Sequence, residues 1–223
     1  MHVQDLGTMP YRQAWALQQQ IHAEVVAGDQ ERLLLVEHPP VITFGRRAET
    51  CGQKNLLASE QHLQQLGVEL VQSDRGGDVT FHGPGQIVAY PIVRLNDHGL
   101  SVGGYVRRLE QVVIATLAEL AIPAITDPSA VGVWVREPDG QLAKICAIGV
   151  RIRRGVSMHG IALNVETDLR YFDLIIPCGL TGRRATSLRR LLGDATPDIR
   201  LVKQSLVGQF HKAFGSASDR RAV

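Results

Sequence analysis

Helical and strand-like segments interleave along these 223 residues, and at least two connections read as hairpins. A hydrophobic share of 44% is enough for one full core. Together they predict an α/β (α+β) chain, a mixed β-sheet with helices packed on it. The length predicts a single domain over residues 1–223, with a frayed tail over 216–223.

The elements follow in order. Thr8 and Pro10 open a helix with Leu17, Ile21 and Val25 on one side, which stops at Gly28. Arg32 to Glu37 reads as a strand closed by His38-Pro39-Pro40, and Val41 to Phe44 as its continuation. Arg46 to Lys54 is polar and charged, a loop by composition. Ser59 caps a short helix ending at Gly67, and Val68 to Val71 is a strand.

The stretch Arg75 to Gln86 carries four glycines in twelve residues around a short strand, Asp78 to His82. Glycine lets backbone approach a ligand closely, and the apolar run Ile87 to Val93 behind it reads as a buried strand. A glycine turn, a strand, a glycine-proline turn and a core strand in succession make a rigid binding edge.

Ser101 starts a long helix with Tyr105, Leu109, Val112, Thr116 and Leu120 at helical spacing, ended before Pro123. Val131 to Val135 and Leu142 to Arg153 are strands about the turn Glu137-Pro138-Asp139-Gly140, and Val156 to Val165 follows the Arg154-Gly155 turn. A last amphipathic helix covers Leu201 to Phe214. If Arg154-Gly155 is a two-residue turn, Arg153 faces Val156, and Gly149 then faces Gly160. Facing glycines make either a bare slot for a narrow apolar group or a site of strand crossing or a bulge.

The net charge of +2 gives no general electrostatic case for a nucleic-acid partner. No apolar run approaches the roughly 20 residues that span a membrane, and no signal-peptide pattern is present. Three cysteines, Cys51, Cys146 and Cys178, are too few and odd for a disulfide framework, which points to a reducing, cytoplasmic setting.

Cys178 sits between Pro177 and Gly179, hence on a turn, where it is either a structural cysteine or a reactive thiol with the access it needs. Lys144 interrupts an apolar strand: it is either a lysine near a strand end with its head in water or, if a thiolate stands opposite, that thiolate's partner. His82 and His159 are competing bases for such a thiol or hydrogen-bonding residues that shape a pocket. Cys146, two residues from Lys144, is expected on the same strand face but packed. Arg183, Arg184, Arg189 and Arg190, with Arg151, Arg153 and Arg154, read as a solvated face or as a surface for an acidic partner or phosphate.

Arg75 to Gln86, Lys144 with Ala147-Ile148-Gly149, His159 to Asn164, and Pro177-Cys178-Gly179 together resemble, in the same order, the pattern of the lipoyl(octanoyl) transferases of lipoate biosynthesis. The likeness spans about residues 32 to 192 and departs at Cys146, where a small residue without a thiol is more usual. The resemblance implies the biotin/lipoate protein ligase-like fold, with Cys178 as acyl-thioester nucleophile and Lys144 as its acid/base partner. It implies an acyl-substrate site lined by Arg75, Gly76, Gly77, Asp78, Val79, Thr80, Phe81 and His82, by Ala147, Ile148 and Gly149, and by Gly160, Ile161 and Ala162. The implied donor is octanoyl-acyl carrier protein. The implied acceptors are lipoyl-domain proteins such as 2-oxoacid dehydrogenase E2 subunits and the glycine cleavage H protein. No cofactor or metal is implied. Two rival readings are an ATP-dependent lipoate or biotin protein ligase and a non-catalytic carrier-binding module.

Overall fold

The computed structural model describes residues 1–51, 54–176 and 183–215. The expected tail over 216–223 lies outside them. The strands are β1 (His2–Thr8), β2 (Arg32–Glu37), β3 (Val41–Phe44), β4 (Glu69–Gln72), β5 (Val79–His82), β6 (Gln86–Ile92), β7 (Ala124–Asp127), β8 (Ala130–Arg136), β9 (Leu142–Arg153), β10 (Val156–Asn164) and β11 (Arg184–Ala185). The helices are α1 (Tyr11–Val26), α2 (Arg46–Cys51), α3 (Glu60–Gln65), α4 (Val102–Glu119), α5 (Leu188–Leu192) and α6 (Ile199–Phe214). No helix among the described residues is long and apolar enough to cross a membrane.

A large mixed sheet runs β1-β2-β6-β10-β9-β8-β7, with β11 pairing β9, and a small one runs β4-β3-β5. The central strands of the large sheet are buried and largely apolar because both faces are covered. Leu33, Leu35, Ile87, Ile161 and Leu163 meet Leu109, Val113, Leu206 and Phe210 of α4 and α6. Leu34, Val36, Val88, Tyr90 and Ala162 turn the other way, onto Ala14, Ile21 and Val25 of α1. The small sheet has a core of its own around Ile42, Phe44, Leu63 and Phe81.

The main helices and the β9–β10 hairpin stand where the sequence puts them, with Arg153 opposite Val156 and Gly149 opposite Gly160. Four expectations need correction. Val41 to Phe44 does not continue β2: the turn at His38-Pro39-Pro40 carries the chain into the small sheet, where β3 pairs β4 and β5. The first part of the Arg46 to Lys54 loop is helical. Strands β1 and β7, absent from the sequence reading, form the two edges of the large sheet.

The fourth correction concerns Lys144. Val133 pairs with Cys146 and the next residue, Trp134, pairs with Lys144, so β9 carries one extra residue, Ile145, in a β-bulge. Ile145 and Cys146 both enter the core beneath α4. The bulge thereby breaks the alternation that would put Lys144 and Cys146 on one face, and Lys144 emerges beside Ala147.

Candidate active site

Between the two sheets, on the face of β9 and β10 turned away from α4, lies a cavity of about 520 Å³ measured out to its open mouth. Arg75, Gly77, Asp78, Val79, Thr80 and His82 form one wall. Lys144, Ala147, Ile148 and Gly149 of β9 and His159, Gly160, Ile161 and Ala162 of β10 form the floor. Tyr11, Val88 and Tyr90 complete it. The sequence reading missed these three, although a tyrosine inside the apolar β6 run was a visible signal. Two predicted residues do not line the cavity. Gly76 donates its N–H to the Val150 carbonyl at 2.9 Å, and Phe81 packs into the small sheet's core, stacked 4.5 Å from Tyr171.

A second cavity shares Thr80, Lys144, Ala147 and Ala162 with the first and continues past Trp134, Asn164 and Phe172 to Arg183, Arg184 and Ala185. Lys144 therefore stands where the two meet. Its Nζ donates to the Val131 carbonyl at 2.8 Å and lies 4.8 Å from the centre of the Trp134 ring. Trp134 is fully buried, and the Arg183 guanidinium lies 4.9 Å from the same ring.

The floor glycines are explained by close approach as much as by a bare slot. A Cβ on Gly160 would stand 2.1 Å from the Ala89 carbonyl oxygen, and one on Gly149 3.0 Å from that of Gly76. Both positions thus seat neighbouring backbone while remaining part of the cavity floor. Arg75 secures the opposite wall: its guanidinium donates to Thr43 Oγ1 and to the Thr43, Gly76 and Asp78 carbonyls. These bonds tie the glycine loop to β3.

The histidines are held neutral and hydrogen-bonded. Burial, then the charge of neighbouring His38, lowers His82 well below the usual imidazole range. Gln86 donates through Nε2 to Asn164 Oδ1 at 2.8 Å, so its Oε1 accepts from His82 Nδ1 at 2.7 Å. Burial and the Arg75 and Arg151 charges lower His159 to about 3. Its Nε2 meets Asp74 Oδ1 at 2.7 Å, and Asp74 also pairs with Arg151. Both rings shape the pocket, and neither is poised to take a proton near neutrality. Cys146 is buried, and desolvation pushes its thiol up to about 12, which marks it as a packed residue.

The arginines after Cys178 do not form a common cationic face. Arg183 pairs with Asp127, Arg184 with Asp139 at 2.6 Å, Arg189 with Glu166 at 2.6 Å and Arg190 with buried Glu137 at 2.7 Å. Among the described residues, no group of three or more His, Cys, Asp or Glu is placed to hold a metal ion.

Cys178, with Pro177 and Gly179, lies outside the described residues, but the chain on both sides is described. Before it, Ile176 N–H donates to the Asn55 carbonyl at 2.8 Å, and the Asn55 amide bonds Asp78 of the glycine-loop wall. After it, Ala185 pairs with Lys144 along β11, and Thr186 N–H donates to the Lys144 carbonyl at 2.9 Å.

Residues 10–211 match the model of the lipoyl protein ligase A/B catalytic domain. An octanoyltransferase of Chloroflexus aurantiacus is 48% identical over 211 residues, covering 94% of this chain and 92% of that protein. Among solved structures, a putative lipoate protein ligase of Thermoplasma acidophilum with bound lipoic acid superposes with a TM-score of 0.72 at 17% identity, over 99% of this chain and 91% of that one. The biotin protein ligase of Aquifex aeolicus gives a TM-score of 0.53 at 12% identity, over 96% and 68% of the two chains. The mixed α+β fold is thus the one shared by lipoate and biotin protein ligases.

Proposed function

The chain belongs to the lipoyl protein ligase A/B catalytic-domain family, and from that premise we propose that it is an octanoyltransferase working through a Cys178 thioester. The Cys178 thiolate attacks the thioester carbonyl of an octanoyl group on the phosphopantetheine of acyl carrier protein. A C–S bond forms to the enzyme, the C–S bond to the carrier breaks, and the released sulfur takes up a proton. A lysine amine of a lipoyl domain then attacks the acyl-enzyme. The C–N bond forms, Cys178 leaves, and Lys144 relays the amine proton. Thioester to amide runs downhill, so the transfer needs no ATP. Lipoyl-domain proteins such as 2-oxoacid dehydrogenase E2 subunits and the glycine cleavage H protein are the acceptors in this reading.

One observation carries the proposal: the two ends of the segment containing Cys178 are tethered to the wall and the floor of the cavity, one to Asp78 through Asn55, the other to Lys144 itself. The apolar floor of Ala147, Gly149, Gly160 and Ala162 suits a straight acyl chain. Backbone N–H groups near Gly77 or Cys178 are the candidate donors to the oxyanion in this reading.

Mass spectrometry of the protein mixed with octanoyl-carrier tests this directly. An octanoyl adduct localised to Cys178, absent in Cys178→Ser along with transfer, is the expected result. A non-catalytic carrier-binding module gives no mass increase, and undiminished ATP-dependent acylation by Cys178→Ser would establish a ligase instead.

A further inference from the structure

Beneath the sheet, a buried carboxylate reaches the peptide group to which Lys144 is hydrogen-bonded. Lys144 Nζ donates to the carbonyl of Val131 at 2.8 Å. The N–H of that same peptide unit belongs to Gly132, and it donates to Glu110 Oε1 at 3.2 Å. One peptide group therefore lies between an ammonium on the cavity side and a carboxylate on the helix side. Glu110 is 7% exposed on α4, between the core residues Leu109 and Val113. Among the described residues, the bond to Gly132 is the only hydrogen bond its carboxylate makes. A charge at this depth in an apolar helix face costs stability unless its interactions return something.

Gly132 is shaped for the arrangement. Its φ of +129° lies outside what L side chains ordinarily adopt. A Cβ there would stand 2.7 Å from the Cys146 carbonyl oxygen and 3.1 Å and 3.3 Å from Lys144 Cε and Cδ. The lysine stem thus lies against bare backbone, and its head reaches the carbonyl one residue earlier. A carboxylate on the N–H side of a peptide polarises it, which makes the carbonyl a stronger acceptor for the ammonium on the far side.

We propose that Glu110, acting through the Val131–Gly132 peptide, is a positioning residue for Lys144 in acyl transfer. This rests on the acid/base role given to Lys144 above. It extends the site from the cavity through the sheet to the core face of α4. Glu110 itself touches no reacting atom.

Glu110→Gln keeps an oxygen to accept from Gly132 but removes the charge, and Glu110→Leu removes both. Misplacing a catalytic group by a fraction of an ångström lowers kcat by about 10- to 100-fold. The expected order is therefore wild type, Gln, then Leu in falling kcat, with KM for octanoyl-carrier unchanged. In a Lys144→Ala background the same two substitutions should change the residual rate less than twofold, because the group they position is gone. Equal losses with and without Lys144, or wild-type kcat in both Glu110 variants, would overturn the inference. Should Glu110→Leu not fold, Glu110→Gln with and without Lys144→Ala decides. Full turnover by Lys144→Ala alone would remove the acid/base role assigned above. A dead Lys144→Ala beside fully active Glu110 variants would remove only the present proposal.

Discussion

A methyl group on Gly160 would overlap the Ala89 carbonyl oxygen and also stand 2.7 Å from Pro91 Cδ. Both neighbours belong to β6, a central strand buried on both faces, so neither can withdraw without disturbing the sheet. Gly160→Ala should cost about 3 kcal/mol or prevent folding altogether. Urea unfolding measures it, and a loss under 1 kcal/mol would mean that β10 has slack the packing does not show. Gly149→Ala meets the Gly76 carbonyl oxygen at 3.0 Å and the softer Arg75 side chain at 3.3 Å, a smaller overlap than at Gly160, and should be milder on stability. The opposition of these glycines was legible in the sequence because a two-residue turn sets the register of everything behind it. Their purpose was not, since it depends on β6 and on the Arg75–Gly76 loop arriving from elsewhere in the chain. Lys144 was legible as an odd charge in an apolar strand. Its true face depended on the Ile145 bulge, which leaves no mark in the residue pattern.

Long elements with a buried stripe announce themselves, and edges do not. Helices α1, α4 and α6 each bury one stripe and carry ordinary starting signals. At the head of α4, Ser101 accepts from Gly104 N–H at 3.1 Å. Ser101→Ala should cost about 1 kcal/mol, a fall in Tm of roughly 3 °C for a chain of this size, with kcat unchanged. A change in kcat at unchanged Tm would show that this cap reaches the site, which the place of α4 on the opposite face of the sheet from the cavity argues against. Edge strands escaped notice for a physical reason. Strand β1 is largely exposed or half-exposed along its length, and Ile125 of β7 is exposed, so neither carries the apolar run by which a buried strand is recognised. Helix α2 was hidden by the charge of its own residues. The turn between β2 and β3 read as a pause because proline signals an interruption and says nothing of which sheet follows.

Across the molecule, the space between α1 and the two sheets is filled by aromatic and imidazole rings held in their neutral form. Tyr11 stacks on His82 at 5.9 Å, and His38 meets both Tyr11 and His82 edge-on. His38 Nδ1 donates to the Met9 carbonyl at 2.7 Å, and its Nε2 accepts from the Tyr90 hydroxyl at 2.8 Å. Burial lowers His38 to about 4, as it lowers His159 to about 3. An unfolded chain titrates histidine near pH 6.5, so below that the unfolded state binds protons that the folded state refuses. Stability is therefore fully present above about pH 6.5 and falls as the pH drops toward 4. Each of these two groups withdraws about 2 kcal/mol by pH 5. His159→Asn removes one of them while keeping a residue that tolerates the φ of +57° found there. Its unfolding free energy should fall about 2 kcal/mol less than that of the wild type between pH 7 and pH 5, as read from urea titrations at both values. Parallel pH curves for the two proteins would show that His159 protonates freely in the folded state. The same reasoning separates chemistry from folding: with the pocket histidines already neutral, their titration cannot shape the activity profile near pH 7. An acid loss of turnover that tracks the unfolding curve would then belong to the aromatic cluster behind the cavity, whereas one that precedes unfolding would belong to the Cys178 and Lys144 step.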